Sequence, residues 1–470
     1  MVFPVDVVVM AAGKGTRMKS QRPKVLHRLG GRALAQHVID TAGRLSARSV
    51  VVITGHGAEQ VEAGLHAPAA TDGHGATQLK YVRQEPQLGT GHAVQQAAPV
   101  LPDDGVTLVL SGDVPLTRPE TLQALLDLCA GERLALLTLD MSDPTGYGRI
   151  VRAANGAVHA IVEQKDASPE QRAITEIYSG IMAVPTRLLR GWLARLDNQN
   201  AQGEYYLTDV VKFAVADGLG VQAHRISDAV QVAGVNSPVQ LAELERAYQR
   251  RLAEALMAQG VRLADPARFD VRGELVCGQD VEIDVNCVFE GRVVLGDGVR
   301  IGPNCVLANT EIGTGALIQA FTHTQGEKAG VLIGPRAEIG PFARLRPGAR
   351  LGPEVHIGNF VEVKNSTLAA GAKANHLAYL GDADVGERVN YGAGSITANY
   401  DGAYKHRTVI GADVHVGSNC VLVAPVTIGA GGTVGAGSTI TRDTAPVTLS
   451  VARGKQVSIA DWQRPVKKKP

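Results

Sequence analysis

Cationic and proton-accepting side chains gather in one part of the C-terminal half of the sequence. The set comprises Arg344, Arg346, Lys364, Asn375, His376, Tyr379, Asn390, Asn399, Tyr400 and Lys405. Cations of this kind can bind a phosphomonoester, and a neutral histidine can take a proton from an amine or a hydroxyl. A lone histidine is more often a hydrogen-bonded structural residue, but the polar side chains around His376 favour a catalytic base.

A second group of cations lies near the N-terminus, in and after a glycine-rich turn. Residues 11–18 read AAGKGTRM, with Lys14 and Arg17 inside the turn and Lys24 soon after it. Backbone N–H groups of such a turn can approach phosphate oxygens, and the cations supply the positive charge that a polyphosphate needs. The turn matches neither the Walker pattern nor the dinucleotide-binding pattern, so taken alone it also fits a structural turn.

Two further side chains fit a nucleotide site beside this turn. Asp113 follows the apolar run 106–110, where a carboxylate beside a triphosphate can bind Mg²⁺, although it could instead cap a turn. The amide of Gln84 carries both a donor and an acceptor, which matches the imide edge of uracil or thymine. His92, in the run QLGTGHA, shows no evident partner in the sequence and is interpreted as structural.

The elements that must position the N-terminal group follow an alternating pattern. Predicted strands lie at 5–10, 50–54, 80–84 and 106–110, and predicted helices at 33–44 and 119–128. This alternation indicates a doubly wound, Rossmann-like α/β domain. Ligands favour the carboxyl edge of such a sheet, which is where the glycine turn and Asp113 are expected.

The C-terminal half carries an aliphatic or aromatic residue at every sixth position. The positions are Ile283, Phe289, Leu295, Ile301, Leu307, then Ile333, Ile339, Leu345, Leu351, Ile357, Val363, then Ile410, Val416, Leu422, Ile428, Val434 and Ile440. This period fits neither a helix nor an alternating strand and is typical of a hexapeptide β-solenoid. Each coil would bury its inward residue by stacking on its neighbours, and a following glycine would let the backbone bend. Segments 321–332 and 398–407 break the period and are predicted to be loops.

Length and composition restrict the class of protein. A chain of 470 residues should form two or three domains, and we expect a first domain at 1–235, a linker helix at 236–262 and the solenoid with its tail at 263–470. The net charge of +1 predicts no nucleic-acid partner, and no apolar run is long enough for a membrane span. Five widely spaced cysteines are typical of reduced packing residues, and a cytoplasmic location is expected.

Several motifs resemble known transferases. GxGTRM followed by PK resembles the signature of sugar-phosphate nucleotidylyltransferases. Over its whole length the chain resembles the bacterial family that is N-acetylglucosamine-1-phosphate uridylyltransferase at one end and glucosamine-1-phosphate N-acetyltransferase at the other. The motifs are AAGKGTRM with PKVLH (11–27), QLGTGHA (87–93), GDVPL (112–116), DPTGYGRI (143–150), NAQGEYYLTD (200–209), PFARLRPGA (341–349), GNFVEVK (358–364), HLAYLGD (376–382) and NYDG (399–402).

The resemblance implies a role for each matching residue. For uridylyl transfer it implies UTP on Met10, Ala11, Ala12, Gly13, Lys24, Gln84, Gly89 and Thr90, Mg²⁺ on Asp113 and Asn236, and the sugar on Gly148 and Glu163. For acetyl transfer it implies His376 as general base, glucosamine-1-phosphate on Arg346, Lys364, Tyr379 and Asn390, and acetyl-CoA near Ala393, Asn399, Tyr400, Ser418, Ala436 and Arg453. It also implies a homotrimer and a left-handed parallel β-helix, a hand opposite to the usual crossover preference. We add Arg17 and Lys24 as the groups that stabilise developing charge on the phosphates.

Two positions depart from the family pattern. Where the family commonly has EINTG, residues 176–180 read EIYSG, so that Tyr178 replaces an asparagine at a sugar contact. The usual tyrosine before GDVPL is Ser111. Both differences bear on the sugar specificity of the first site rather than on its chemistry.

Two other functions fit parts of the sequence. The solenoid could be only a trimerising module on a nucleotidylyltransferase with a single activity, but His376, Lys364 and Arg346 argue against that. Alternatively the chain could be a non-catalytic sugar-nucleotide sensor, which an intact Asp113 and Lys24 disfavour.

Overall fold

The structure, a computed structural model, describes residues 3–69 and 76–467. Its chain contacts divide into two compact units, Met1–Tyr248 and Gln249–Pro470. The sequence analysis placed domain boundaries after residues 235 and 262, and these boundaries stay a prediction.

The first unit alternates strands and helices. In chain order they are β1 (Val5–Met10), β2 (Arg28–Leu29), β3 (Arg32–Ala33), α1 (Leu34–Arg44), β4 (Ser49–Thr54), α2 (Ala58–Gly64), β5 (Gln78–Arg83), α3 (Thr90–Ala97), β6 (Val106–Ser111), α4 (Pro119–Cys129), β7 (Leu134–Asp140), β8 (Gly148–Arg152), β9 (Val158–Val162), α5 (Pro169–Arg172), β10 (Glu176–Pro185), α6 (Thr186–Leu193), α7 (Asp209–Ala216), β11 (Val221–Ile226) and α8 (Pro238–Ala258). Short 3₁₀ turns lie at Thr16–Met18, Lys24–Leu26, Ala98–Val100 and Ala229–Val232.

The main sheet of this unit confirms the predicted α/β class. Its strand order is β11-β7-β10-β6-β1-β4-β5, with β1 parallel to both β4 and β6. Within β1, Val7 and Val9 face one core layer and Val8 faces the other, so both faces are covered. The parallel direction brings the carboxyl ends of β1, β4 and β6 to one edge, which is where the predicted nucleotide residues begin.

Within the main strand order, β10 runs against its neighbours. The long strand β10 pairs antiparallel with β6 and with β7, and its register shifts between Tyr178 and Met182. It also pairs with β8, which brings Tyr178 opposite Gly148. The sequence analysis did not predict β10, although two proposed sugar contacts, Gly148 and Tyr178, lie on the β8–β10 pair.

The helix α8 contains the residues on both sides of the division between the units. In the first unit Leu244 belongs to an apolar cluster with Met18 and Leu29. In the second unit the side chain of Gln249 exchanges two hydrogen bonds of 2.8 Å with the backbone of Val271.

The second unit consists of short strands. They are β12 (Arg262–Leu263), β13 (Phe269–Cys277), β14 (Glu282–Ile283), β15 (Cys287–Leu295), β16 (Arg300–Ile301), β17 (Val306–Ile312), β18 (Leu317–Ile318), β19 (His323–Gln325), β20 (Val331–Ile333), β21 (Glu338–Ile339), β22 (Arg344–Leu345), β23 (Arg350–Leu351), β24 (His356–Asn359), β25 (Glu362–Lys364), β26 (Thr367–Leu368), β27 (Lys373–His376), β28 (Tyr379–Gly381), β29 (Ala383–Val385), β30 (Asn390–Tyr391), β31 (Ile396–Ala398), β32 (Thr408–Ile410), β33 (His415–Val416), β34 (Val421–Val423), β35 (Val426–Ile428), β36 (Thr433–Val434), β37 (Thr439–Ile440) and β38 (Leu449–Ser450).

These strands form a parallel β-helix of hexapeptide repeats, as predicted. Each pairs in parallel with the strand one coil away, so that Ile339 lies beside Ile357 and Leu345 beside Val363. One face is the sheet that runs from β12 to β38, and the other two faces are arms of a second sheet that meet at β17. Every sixth-position residue named above is buried and belongs to one continuous core.

The glycines that follow inward residues act differently from the prediction. A Cβ on Gly334 would lie only 2.4 Å from the carbonyl carbon of Gly352, so the glycine is required by close stacking of coils. The left-handed backbone at the corners belongs instead to other residues, including Asn304 at φ 60° and Phe342 at φ 56°. The prediction that the glycine after the inward residue makes the tight bend is therefore wrong. The bend lies instead at other residues of the hexad, which adopt the left-handed backbone.

The five cysteines are all free, and four of them are buried. Among residues 3–69 and 76–467, no helix combines the length and the apolar character needed to cross a membrane.

Candidate active sites

A cavity of about 300 Å³ lies at the carboxyl edge of β1 and β6. Its lining comprises Met10, Ala11, Ala12, Gly13, Lys24, Val25, Gln84, Gln87, Gly89, Thr90, Ala93, Ser111, Asp113 and Glu204. All the residues to which the resemblance gave UTP are among them, together with Asp113. Sequence reasoning missed Glu204, although it lies within the motif NAQGEYYLTD.

Lys24 links the two predicted magnesium ligands. Its Nζ lies 2.5 Å from Oδ2 of Asp113 and 3.2 Å from Oδ1 of Asn236. Both side chains of the ion pair are largely shielded from solvent, with exposed fractions of 15% and 17%. Asp113 and Asn236 are far apart in the sequence, but in the structure both contact the ammonium group of Lys24.

The oxygen atoms around Lys24 fit a magnesium ion. Asp113 supplies a carboxylate oxygen and Asn236 an amide oxygen, and both already face a positive charge. Within the described residues no three His, Cys, Asp or Glu side chains converge as a metal-binding group. Mg²⁺ commonly needs only one or two protein carboxylates, because waters and substrate phosphates complete its shell.

Gln84 is held in one orientation by its neighbours. Its Nε2 donates to the carbonyl oxygen of Gly89 at 2.9 Å and lies 3.2 Å from Nδ1 of His92. His92 therefore has a partner that the sequence did not reveal, and it contacts a residue that lines the cavity. The predicted structural role stays a prediction, and this contact agrees with it, because the imidazole helps to fix the amide of a cavity residue.

The turn before α3 has little freedom. Gly89 has a φ of 112°, and a Cβ there would lie 2.6 Å from the carbonyl oxygen of Tyr205. Thr90 begins α3, and its hydroxyl accepts a hydrogen bond of 3.1 Å from the N–H of Leu207. The segment around residue 205 therefore fixes the backbone that faces the cavity.

Arg17 lies apart from this cavity. It is exposed, in the 3₁₀ turn Thr16–Met18, and it does not line the cavity. Its predicted catalytic role stays a prediction that the position of the side chain does not support.

The residues implied for the sugar form a separate group. Gly148 pairs with Tyr178 across β8 and β10, and a Cβ on Gly148 would lie 3.7 Å from the carboxylate oxygens of Glu163. Glu163 accepts a hydrogen bond of 3.0 Å from Thr208, and burial raises the pKa of its carboxyl group. Burial, reinforced by the charge of Glu163, also holds the pKa of Tyr178 well above its usual range.

In the β-helix, His376 lies in a cavity of about 280 Å³. The lining comprises Gln319, Glu338, Gly340, Pro341, His356, Ile357, Gly358, Asn359, Asn375 and His376. Nδ1 of His376 lies 2.9 Å from Oδ1 of Asn359, one coil away. Since an amide oxygen only accepts, Nδ1 carries a hydrogen in this contact, and in the neutral ring the lone pair is then on Nε2.

The cations predicted for phosphate lie together on a neighbouring face. The nearby Lys405 ammonium and burial lower the pKa of Lys364, and the charge of Arg346 contributes further. Arg346 is paired with Glu362 at 2.8 Å. Two ammonium groups held side by side are stabilised by an anion, which is what a phosphomonoester would supply.

A buried carboxylate anchors the loop that carries Lys405. Asp382 accepts one hydrogen bond of 2.5 Å from Asn365 and another of 2.5 Å from Asn399. Asn399 is itself buried, so its side chain is occupied in holding the loop. Tyr400 is exposed, and its hydroxyl donates to the carbonyl oxygen of Gly402 at 2.6 Å.

The four remaining positions implied for acetyl-CoA form a line along successive coils. The carbonyl of Ala393 accepts from Asn419, and that of Ser418 accepts from Gly437. The guanidinium of Arg453 donates to the carbonyl of Ala436 at 2.8 Å. A long ligand could therefore lie along this line.

The residues predicted for acetyl transfer do not all line one cavity. The cavity with His376 includes none of the sugar-phosphate residues, which are Arg346, Lys364, Tyr379 and Asn390. Tyr379 lies on β28 beside Glu362, and Asn390 lies on β30 beside Lys373. Since β27 also contains His376, Asn390 lies on the same face of the β-helix as the candidate base, whereas Arg346 and Lys364 lie at the ends of β22 and β25 on a neighbouring face.

Comparison with known proteins covers both units. The MobA-like NTP transferase domain matches residues 7–195, the six-repeat bacterial transferase hexapeptide family matches 275–309, and the GMPPB C-terminal domain matches 328–428. The chain is 76% identical to the Bifunctional protein GlmU of Polaromonas naphthalenivorans (strain CJ2), covering 99% of each chain. It is 70% identical to that of Albidiferax ferrireducens, covering 98% of this chain and all of the relative.

A solved structure of UDP-glucose pyrophosphorylase complexed with UDP-glucose overlaps 53% of this chain, with a TM-score of 0.43 and 17% identity. The two relatives match nearly the whole chain, so their similarity covers both units. By that similarity, the chain belongs to the family of bifunctional GlmU proteins.

Proposed function

We propose how the residues of this chain carry out the two reactions of its family. The chain is a bifunctional transferase that makes UDP-N-acetylglucosamine. It transfers acetyl from acetyl-CoA to glucosamine-1-phosphate, and then uridylyl from UTP to N-acetylglucosamine-1-phosphate with release of pyrophosphate. The observation that supports this assignment is that each unit carries its own set of chemically suitable residues.

In the uridylyl reaction, an oxygen of the sugar phosphate attacks the α-phosphorus of UTP. The new P–O bond forms as the bond to pyrophosphate breaks, so the residues need only position the reactants and neutralise charge. The backbone of residues 10–13 lines the cavity where the triphosphate would bind, and Lys24 supplies a cation in the same lining. Lys24 is the better supported of the two predicted charge-stabilising residues, since Arg17 lies outside the cavity lining.

Asp113 and Asn236 would hold Mg²⁺, which when bound would draw negative charge away from the phosphate oxygens. The Lys24 ammonium now lies between these two oxygens, so it would turn toward the phosphates when the carboxylate is taken. The same three side chains would thus serve the metal and the nucleotide.

The test is Asp113→Asn, which keeps the size of the side chain and removes its charge. Pyrophosphate release from UTP and N-acetylglucosamine-1-phosphate should fall by at least about a hundredfold, the scale of losing one charge-stabilising group. Acetyl transfer should be unchanged. The exposed Asp103→Asn is the matched control, and full uridylyl activity in Asp113→Asn would refute the metal assignment.

In the acetyl reaction, the amine of glucosamine-1-phosphate attacks the thioester carbonyl. An ammonium cannot attack, so a base must take its proton, and Nε2 of His376 has the free lone pair. The tetrahedral intermediate then expels the coenzyme A thiol, which leaves with a proton. Asn359 fixes the ring by accepting from Nδ1–H, so it acts as a positioning residue.

Thiol release from acetyl-CoA in the presence of glucosamine-1-phosphate tests this base. The wild type should release thiol, and His376→Ala should lose at least about a hundredfold in rate, while uridylyl transfer is retained. His415→Ala, which alters an exposed histidine on β33, is the control. Equal rates in His376→Ala and the wild type would leave the β-helix without its assigned base and favour the single-activity alternative.

We also propose a homotrimer as the working form. Two observations support a second copy at the acetyl site: the lining of the His376 cavity includes none of the proposed sugar-phosphate residues, and an apolar stack is exposed beside His376. This stack comprises Phe321, Phe342, Phe360 and Leu377, with exposed fractions of 49%, 47%, 57% and 62%.

A cytoplasmic location, without nucleic-acid or membrane partners, stays a prediction from composition.

A further inference from the structure

Glu204 places an acidic side chain in the cavity proposed for a triphosphate. It is half-buried in the same lining as Lys24 and Asp113, and it has no part in the uridylyl reaction as proposed. The Lys24 ammonium neutralises Asp113, whereas in the described part of the chain no hydrogen bond or ion pair involves the carboxylate of Glu204. A carboxylate repels phosphates, so this one needs hydrogen-bond donors elsewhere on the nucleotide.

The backbone around Glu204 is held against the turn before α3. The side chain of Asn200 donates to the carbonyl of Glu204 at 2.5 Å and accepts from its N–H at 3.3 Å. The next residue, Tyr205, exchanges backbone hydrogen bonds of 2.8 Å and 2.7 Å with the segment 88–91. A Cβ on Gly89 would lie only 2.9 Å from Cβ of Glu204. The side chain of Glu204 therefore starts beside this turn.

This turn lies at the end of the cavity that suits the base. The carbonyl of Gly89 accepts from Nε2 of Gln84, which leaves the amide oxygen of Gln84 for N3–H of uracil. Gln84 follows β5 and Asp113 follows β6, and the sheet places β4 and β1 between these two strands. Three strand spacings amount to about 14 Å. Glu204 thus belongs to the base end of the cavity rather than to the metal end.

The chemistry of UTP limits what the carboxylate can bind there. The neutral part of the nucleotide has donors at two places only, N3–H of uracil and the hydroxyls of the ribose. Gln84 meets N3–H, so the ribose hydroxyls are left for Glu204. Two vicinal hydroxyls match the two oxygens of a carboxylate, and dinucleotide-binding domains use an acidic side chain on the ribose in a similar way.

We propose that Glu204 selects ribonucleotides, its carboxylate accepting hydrogen bonds from the 2′- and 3′-hydroxyls of UTP. The inference rests on the proposed uridylyl transfer and names a residue that sets the nucleotide specificity of that site. A nucleotide without these hydroxyls leaves the carboxylate charged and unpaired beside a triphosphate. Sites built around such a polar contact discriminate strongly against the analogue that lacks the partner.

Glu204→Gln tests the proposal, since it keeps the shape of the side chain and removes its charge and one acceptor. Uridylyl transfer to N-acetylglucosamine-1-phosphate is measured at saturating Mg²⁺ with UTP and with 2′,3′-dideoxy-UTP. The wild type should prefer UTP, and the variant should lower kcat/KM for UTP about tenfold, which is the loss of one hydrogen bond. For the dideoxy nucleotide kcat/KM should stay the same or rise, because the unpaired charge is gone.

Glu120→Gln is the matched control, because it neutralises an exposed glutamate on α4 that does not line the cavity. Thermal unfolding and acetyl transfer of both variants are compared with the wild type to show that the chains are folded. An equal loss for the two nucleotides, or no loss for either, overturns the assignment of Glu204. An equal loss that is restored by more Mg²⁺ overturns it in favour of a metal ligand. Absence of UDP-sugar formation in the wild type would instead refute the proposed uridylyl transfer.

Discussion

At the scale of single residues, Gln84 offers the nucleotide cavity one kind of atom. Its Nε2 donates to Gly89 and contacts His92, so the amide oxygen is the atom left to meet a base. N3 of uracil carries a hydrogen and can donate to that oxygen, whereas N3 of cytosine is an acceptor and cannot. The geometry therefore favours UTP over CTP.

We predict that His92→Phe weakens this preference. The change removes the ring nitrogen that holds one amide hydrogen of Gln84, so the amide can turn its NH₂ toward the base. The ratio of kcat/KM for UTP to that for CTP should fall about tenfold, the effect of one misplaced hydrogen bond. His159→Phe, on the exposed side of β9, should keep the ratio; a preserved ratio in His92→Phe would contradict the prediction.

Glu163 should make the first unit sensitive to pH. Burial raises the pKa of its carboxyl group, so the folded protein binds this proton more tightly than the unfolded chain does. The wild type therefore loses stability as pH rises from the ordinary glutamate pKa, about 4.3, through the raised value.

We expect Glu163→Gln to lack this loss. Relative to the wild type, its free energy of unfolding should increase between about pH 4 and about pH 8, as urea unfolding at the two pH values would show. Glu132→Gln alters an exposed glutamate, and its free energy of unfolding should follow that of the wild type at both pH values. A constant difference between Glu163→Gln and the wild type across this range would contradict the assignment.

Residue positions were predictable where chain order determines them. Asp113 and the glycine turn directly follow β6 and β1, so their presence at one sheet edge followed from the strand pattern. The contact of His376 with Asn359 was not predictable, because it depends on which coils stack and they are 17 residues apart. Tyr178 was noticed as a departure from the family pattern, but only its burial in the fold shows that its hydroxyl is unpaired.

At the scale of elements, the β-helix depends on its inward residues. Leu345 is completely buried on β22 and lies beside Val363 of the next coil. Because each hexad is so short, its inward side chain is the main apolar group that it contributes to the core. Truncation there should open a cavity that neighbouring coils cannot fill.

We predict that Leu345→Ala lowers the free energy of unfolding of the β-helix by about 2–5 kcal/mol. Ile396→Ala removes as many methyl groups from a side chain that is 39% exposed, and it should cost much less. Denaturant unfolding followed by circular dichroism would compare the two. Similar losses for both variants would show that inward burial is not the main source of stability.

The sequence predicted elements with different success. The six-residue period predicted the β-helix, because the period directly reports which residues point inward. It could not predict that corners would place Phe342 and Asn304 in left-handed backbone, since only the position within the coil sets that requirement. The antiparallel strand β10 was also missed, because its apolar run suits either direction.

At the scale of the whole molecule, the exposed aromatic stack needs a partner. The rings of Phe321 and Phe342 are parallel, with centroids 4.9 Å apart, and Phe360 stacks on Phe342 at 5.4 Å. Aligned exposed rings of this kind are typical of a protein interface. Their position beside the His376 cavity agrees with a second copy completing the acetyl site.

We expect the double variant Phe342→Ser with Phe360→Ser to separate the assembly. Sedimentation should show a lower mass than the wild type. Acetyl transfer should fall more than uridylyl transfer, because in the proposed trimer only the acetyl site takes residues from two copies. Val276→Ser changes another exposed apolar side chain and should leave both properties unaltered. A wild type that sediments as a monomer while transferring acetyl would contradict the trimer.

The coil-by-coil register of the β-helix has a mechanical consequence. The strand of Ile339 is hydrogen-bonded to the strand of Ile357, which lies about 18 residues later and one coil away. Each coil is joined in this way only to the coils directly before and after it. A force applied to the C-terminal end would therefore peel one coil at a time. Each step would release roughly 60 Å of extended chain. In an optical trap this half of the protein should lengthen as a regular series of small jumps. The α/β unit should instead give way in one large event, because its strands and helices share two core layers.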